Sequence, residues 1–233
     1  MKPLKTFFQN KQVRTVLDVG TGTGDFVAVL KEVFPEAKIT GVDPNTKSLT
    51  EAAKLFPGVD FVDMGGEHLD FADDQFDVAS ISMALHHLPD ITKTLAEMQR
   101  VVKPRGWIIV NELFSDNLNP AQEVHKLMHH FRSKIDRLNG VSHNETLTKA
   151  EILELVENSG VTILHHFENK KERKPTTDEE INERIAKLNV LLDTISHRPE
   201  YPNFVAEAKE INAGLKLHGF AMATRVVIIG VVS

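Results

Sequence analysis

The chain has 233 residues, a formal net charge of −6, a pI near 6.0 and no cysteine. Its length suits one large α/β domain, or one domain with a helical embellishment. The missing cysteine excludes disulfides, thiolate metal sites and a cysteine nucleophile, and the acidic balance argues against nucleic acid as a partner. The run Lys170-Lys171-Glu172-Arg173-Lys174 reads as a solvated connector. Residues 1–12 lack an apolar segment of the signal-peptide kind, and no stretch of about 18 apolar residues follows. The expectation is a soluble cytoplasmic protein with no membrane partner.

Strand and helix patterns alternate from the start. A strand is predicted over residues 15–19 and a helix over 25–34, where Phe26, Val27, Leu30, Val33 and Phe34 recur at helical spacing before Pro35. A second strand at 38–42, a helix at 46–56 closed by Pro57-Gly58, and a third strand at 59–62 follow. Residues 76–83 read as a buried strand, and 91–102 as a helix that stops at Lys103-Pro104-Arg105-Gly106. A fifth strand covers 107–114. Repeated strand–helix units argue for right-handed crossovers and a parallel, doubly wound sheet.

The pattern then changes. Asn119-Pro120 is a cap and first-turn pair for a helix whose apolar stripe runs through Val124, Leu127, Met128, Phe131, Ile135 and Leu138 to Asn139-Gly140. Thr148 and Glu151 form a capping box for a helix that ends at Gly160. Strands are predicted at 161–167 and 224–232. Between them lie two more helical stripes. Ile181, Ile185, Leu188, Leu192 and Ile195 form one, capped at 177–180; Phe204, Ala208, Ile211 and Leu215 form the other. The reading is one domain over 1–233 with helical insertions at 115–147 and 169–217, serving as pocket wall, lid or dimer contact in a monomer or homodimer.

Chemistry concentrates at the strand ends. Val16-Leu17-Asp18-Val19-Gly20-Thr21-Gly22-Thr23-Gly24 is an apolar run entering a glycine turn that opens a helix. Such a turn lets backbone approach a ligand and offers unpaired N–H groups. The next strand ends at Asp43, placed to accept hydrogen bonds from ribose hydroxyls. Together these describe a site for a nucleoside-bearing cofactor. The spacing is G-x-G-x-G, whereas dinucleotide enzymes prefer G-x-G-x-x-G for their pyrophosphate.

The order of motifs resembles the class I S-adenosylmethionine-dependent methyltransferases, and most closely their small-molecule branch of the ubiquinone/menaquinone C-methyltransferase type. The stretch from Val16 to Gly24 matches the family's first motif, and Gly41-Val42-Asp43-Pro44 the acidic end of its second strand. The loop from Glu67 to Asp77 looks like the one before strand four. Leu85-His86-His87-Leu88-Pro89-Asp90 and the run from Leu95 to Trp107 match the strand-four exit and the next helix. The resemblance implies a Rossmann-like, doubly wound, seven-stranded α/β sheet, mostly parallel with a reversed last strand. It implies S-adenosyl-L-methionine as cofactor, S-adenosyl-L-homocysteine as product and a small-molecule methyl acceptor. It places Asp18, Gly20, Gly22 and Gly24 around the methionine part, Asp43 and Pro44 at the ribose, Gly66 and Glu67 beside the adenine, and Ser82 and Met83 facing the sulfonium. The chain departs at Gly65, where the family often carries an acid for the adenine amino group; Asp63 stands two positions earlier.

Methyl transfer from a sulfonium needs alignment and water exclusion, and an acid–base group only when the acceptor must lose a proton. His87, Glu112 and His125 are the candidates. His86-His87 reads mainly as a packing and hydrogen-bonding pair. His125 and His129 have a metal-ligand spacing, but His129 points nearly opposite the apolar stripe and His125 and His130 fall on opposite flanks. A shared site would need a partner beyond the helix, and these histidines read as solvent-facing or flanking. Ser82-Met83-Ala84 offers no carboxylate for Mg²⁺, and no metal is expected. The tetrapeptide of adenine-N6 enzymes is missing after strand four, and cytosine-C5 chemistry lacks its cysteine. The alternatives are a nicotinamide-dependent oxidoreductase and a non-catalytic S-adenosylmethionine-binding protein.

Overall fold

The computed structural model describes residues 1–170 and 175–233. Its helices are α1 (Lys2–Phe8), α2 (Asp25–Val33), α3 (Thr46–Leu55), α4 (Ile91–Val101), α5 (Pro120–Leu138), α6 (Lys149–Asn158), α7 (Asp178–Asp193) and α8 (Tyr201–His218). Its strands are β1 (Thr15–Val19), β2 (Lys38–Asp43), β3 (Asp60–Asp63), β4 (Phe76–Ser82), β5 (Val102–Leu113), β6 (Thr162–Asn169) and β7 (Arg225–Val231), and a 3-10 turn at Leu85–His87 follows β4.

The seven strands lie in the order β3-β2-β1-β4-β5-β7-β6. From β3 to β5 the neighbours are parallel, with Asp18 opposite Gly41 and Val19 opposite Ile81. The last strand is reversed. Arg105, early in β5, donates to the carbonyl of Val232, whereas Phe114, just past the end of β5, donates to that of Thr224. The chain winds outward from β1 to β3, then returns to place β4 on the other side of β1. Connections therefore leave β1 and β4 in opposite directions, which opens a crevice beyond their carboxyl ends. Val16, Leu17, Val78, Ala79, Ile81, Ile108 and Ile109 are buried, as expected of parallel strands covered on both faces.

Two compact units emerge. The first comprises Met1–Glu112, Ala150–Asn169 and Val226–Ser233 and contains most of the sheet. Helix α1, absent from the sequence reading, belongs to it. Seven residues carry little helical signal of their own. Packing holds them: the Phe8 ring meets Phe34 at 4.8 Å and Trp107 at 5.6 Å, edge to face. Strand β5 also starts earlier than predicted. Phe76 pairs with Val102 and Val78 with Trp107, so Lys103-Pro104-Arg105-Gly106 is a bulge within the strand rather than a turn before it.

The second unit comprises Leu113–Lys149 and Lys170–Arg225. In it α5, α7 and α8 bury their predicted stripes against one another through Val124, Phe131, Ile135, Leu188, Leu192, Phe204, Ile211 and Leu215. Asn119 with Gln122, and Thr177 with Glu180, form reciprocal capping boxes. Of the basic run, Lys171, Glu172, Arg173 and Lys174 lie outside the described residues. Among the described residues no helix is long and apolar enough to cross a membrane.

Candidate functional site

Everything assigned to the cofactor from sequence lies in the first unit. The turn after β1 has Gly20, Gly22 and Gly24 at φ 66°, 53° and 89°, a region that side chains rarely tolerate. A Cβ on Gly20 would lie 2.6 Å from the Ala84 Cβ, so the turn and the β4 exit approach each other closely. A Cβ on Gly22 would meet nothing within 4 Å: the turn faces open space at its middle glycine. The turn is tied to β2 by Thr21 N–H, which donates to the Val42 carbonyl at 3.0 Å.

Asp43 completes that tie. Its Oδ2 accepts from Gly22 N–H at 2.9 Å and its Oδ1 from Asn45 N–H at 2.8 Å. Each oxygen keeps lone-pair capacity for a further donor such as a sugar hydroxyl. One half-buried carboxylate thus fixes the glycine turn and presents acceptors beside it. Pro44, next along the chain, is exposed.

Asp18 is buried beneath the turn. Its Oδ2 accepts from the Thr21 hydroxyl at 2.8 Å and its Oδ1 from the Ser80 hydroxyl at 2.7 Å. Burial raises its pKa from 3.8 to about 6, against the pull of the hydroxyls of Ser80 and Thr21 and with help from the negative charge of Asp43. Asp18 therefore braces the turn against β4.

The loop after β3 brings Gly66 into close packing, where a Cβ would fall 2.8 Å from Thr94 and 3.0 Å from Val19. Beside it, the buried Oε1 of Glu67 has no hydrogen-bond partner among the described residues. A carboxylate oxygen in that condition calls for a donor. It supplies an acid near the position where Gly65 departs from the family pattern.

At the β4 exit Met83 takes φ 55°, a strained conformation for a non-glycine residue, and its N–H donates to the Asn111 carbonyl at 2.8 Å. Half-buried Ser82 accepts from the Asn111 side-chain amide at 2.8 Å. The Oδ1 of Asn111, a residue only 1% exposed, has no partner among the described residues. The sequence reading passed over Asn111. The available signal was a polar residue ending an otherwise apolar strand.

Of the proton-transfer candidates, Glu112 is buried, and its Oε2 accepts from Leu85 N–H at 3.0 Å while its Oε1 meets His86 Nδ1 at 3.0 Å. It holds the turn after β4. The ring it holds is that of His86; His87 is exposed, with the two rings 4.3 Å apart. His125 belongs to the second unit, where its Nδ1 accepts from Ala223 N–H at 3.1 Å and its ring packs edge-on against Phe220.

Residues 17–110 match the methyltransferase domain family. Over that segment the chain is similar to methyltransferase domains, and the segment carries the glycine turn, Asp43 and the β4 exit described above. More particularly, it is similar to the ubiquinone/menaquinone biosynthesis C-methyltransferase of Desulfotalea psychrophila, 39% identical over 111 residues that cover 47% of this chain and 44% of that protein. It is also similar to the demethylmenaquinone methyltransferase of Chlorobaculum parvum, 31% identical over 131 residues that cover 56% and 53%. The chain spans about half the length of the curated relatives it matches. Among solved structures, an S-adenosylmethionine-dependent methyltransferase of Methanosarcina mazei shares the fold with a TM-score of 0.60 at 17% identity, over 97% of this chain and 96% of that one. The cyclase SpnF shares it at 0.61 and 18%, over 99% and 79%. The nicotinamide reading gains no support from these relatives.

Proposed function

We propose that this protein transfers a methyl group from S-adenosyl-L-methionine to a small-molecule acceptor. The observation that carries the reading is the Asp43 clamp: one carboxylate holds the Gly22 N–H and displays acceptors at the open side of the turn. The residues present suit this cofactor. Asp43 takes the ribose hydroxyls, the Gly20–Gly24 bend and the start of α2 cradle the amino-acid part, and Glu67 Oε1 accepts from the adenine amino group. Ser82, Met83 and Asn111 border the reacting centre. Pro44 and Gly66 shape the rims of the ribose and adenine places.

The chemistry the cofactor supplies is an electrophilic methyl on a good leaving group. The chain's task is then to align the acceptor and keep water out. Asp18 and Asp43 hold the turn in place, and Glu112 holds the β4 exit. His87, Glu112 and His125 remain the groups to test for proton removal. The acceptors named by the relatives, precursors of quinones, are the first class to assay. The family model covers residues 17–110, the segment that carries the cofactor residues named above. The reading includes a cytoplasmic enzyme that acts without nucleic acid, supported by the cysteine-free, acidic composition.

The test has two parts. S-adenosyl-L-homocysteine is expected to raise the melting temperature while NAD leaves it unchanged; the reverse would overturn the cofactor assignment. Labelled methyl transfer to quinone precursors and other small acceptors is expected to show turnover, and binding without turnover on any acceptor would leave a non-catalytic binder.

A further inference from the structure

We propose that His129 and His143 together bind one divalent transition-metal ion of the zinc class, with Asp136 orienting His143. Both histidines lie in the second unit, and the proposal is independent of the methyl-transfer reading.

The geometry starts with α5. His129 and Asp136 are seven residues apart, about two helical turns, and so share one face. The helix ends at Asn139, Gly140 turns the chain at φ 77°, and Val141 N–H bonds back to the Asp136 carbonyl at 2.9 Å. The chain thereby folds over its own last turns. Arg137 donates to the His143 carbonyl at 2.7 Å and fixes that position. The His143 ring then lies between the two helical side chains. Its Nδ1 is 2.6 Å from Asp136 Oδ2, and its Nε2 is 3.2 Å from His129 Nε2. The two rings are nearly perpendicular, and His143 is 2% exposed.

The chemistry follows from the contacts. A carboxylate on Nδ1 keeps the proton there and leaves the Nε2 lone pair outward, the arrangement that orients metal-binding histidines. The Nε2 of His129 faces that lone pair. Two nitrogens this close share either a proton or a cation. A tetrahedral ion about 2.0–2.1 Å from each would separate them by roughly 3.3–3.4 Å, close to the spacing found. Imidazole donors favour zinc, cobalt and nickel over magnesium and calcium. Two imidazoles leave room in the coordination sphere for water or a ligand oxygen. The partner of His129 comes from beyond its helix, as a shared site there requires, whereas His125 accepts from Ala223 N–H.

The test uses the full chain, stripped with a chelator and titrated with Zn²⁺ alone by calorimetry and with Co²⁺ alone by visible absorption. One ion per chain is expected. His129→Ala and His143→Ala are each expected to weaken binding by about 100-fold, and Asp136→Asn by about 10–100-fold. His125→Ala should leave affinity unchanged. Should His143→Ala fail to fold, His129→Ala at its half-buried position decides the matter, with circular dichroism confirming its fold. Absence of binding, or equal affinity in wild type and His129→Ala, would overturn the proposal and assign the contact to a shared proton. No cofactor is present in the assay, so this failure is distinct from a failure of the methyl-transfer reading.

Discussion

The two units use buried and half-buried polar groups in different ways. In the sheet unit they brace backbone at strand ends: Asp18 links Thr21 to Ser80, Asp43 links Gly22 to Asn45, and Glu112 links Leu85 to His86. In the helical unit a chain of polar side chains runs from Asp136 through His143 to His129 above an apolar three-helix core. Bracing a turn demands a particular residue at a particular place, because one carboxylate must meet two fixed N–H or O–H groups. A helical stripe is satisfied by many apolar residues of suitable size. The family match accordingly runs through the braces at Asp18 and Asp43, over 17–110, and stops short of the helical unit.

The contrast has measurable consequences. The largest is expected from the helical core. Phe131→Ala removes a fully buried ring that stacks edge-on with Phe204, at a cost of about 3–5 kcal/mol in thermal or denaturant unfolding. Binding of S-adenosyl-L-homocysteine is expected to stay within about threefold of wild type. A parallel loss of affinity would break the division between braces and core.

The next effect is a pH dependence in the sheet unit. Asp18 rises from 3.8 to about 6 on folding, so between those values the folded chain holds a proton that the unfolded chain has released. Stability from this group is therefore lost as pH rises from about 4 to about 6, and is level above that. The amount is ~3 kcal/mol. Unfolding free energies of wild type and Asp18→Asn, measured from pH 4 to 7, are expected to diverge by that amount. Parallel curves would remove Asp18 as a buried, titrating brace. Glu97 works in the opposite sense. The Arg100 guanidinium holds its pKa down at about 2, so its contribution is present above about pH 4.5 and fades only toward pH 2.

The smallest effect belongs to the clamp. Asp43→Ala is expected to weaken S-adenosyl-L-homocysteine by about 1–3 kcal/mol, or roughly 5–150-fold in Kd, read by calorimetry. An unchanged Kd would show that the carboxylate serves the turn alone.

Much of this molecule was legible in its residues, for a physical reason. Strand and helix periods, the glycine torsions of the first turn, and the caps at Asn119 and Thr177 are local properties, encoded within a few positions. So was the placing of Asp43 at the end of β2 beside the glycine turn, which follows from alternation and a parallel sheet. What only the tertiary structure decided involves partners distant in the chain or supplied by packing. Helix α1 exists because Phe8 finds Phe34 and Trp107. The Lys103–Gly106 segment is a bulge because β4 continues to pair on both sides of it. Glu112 selects His86 rather than His87, and His129 finds His143 rather than His125. A period along a helix reports direction, but which ring meets which is settled by where the rest of the chain has room to go.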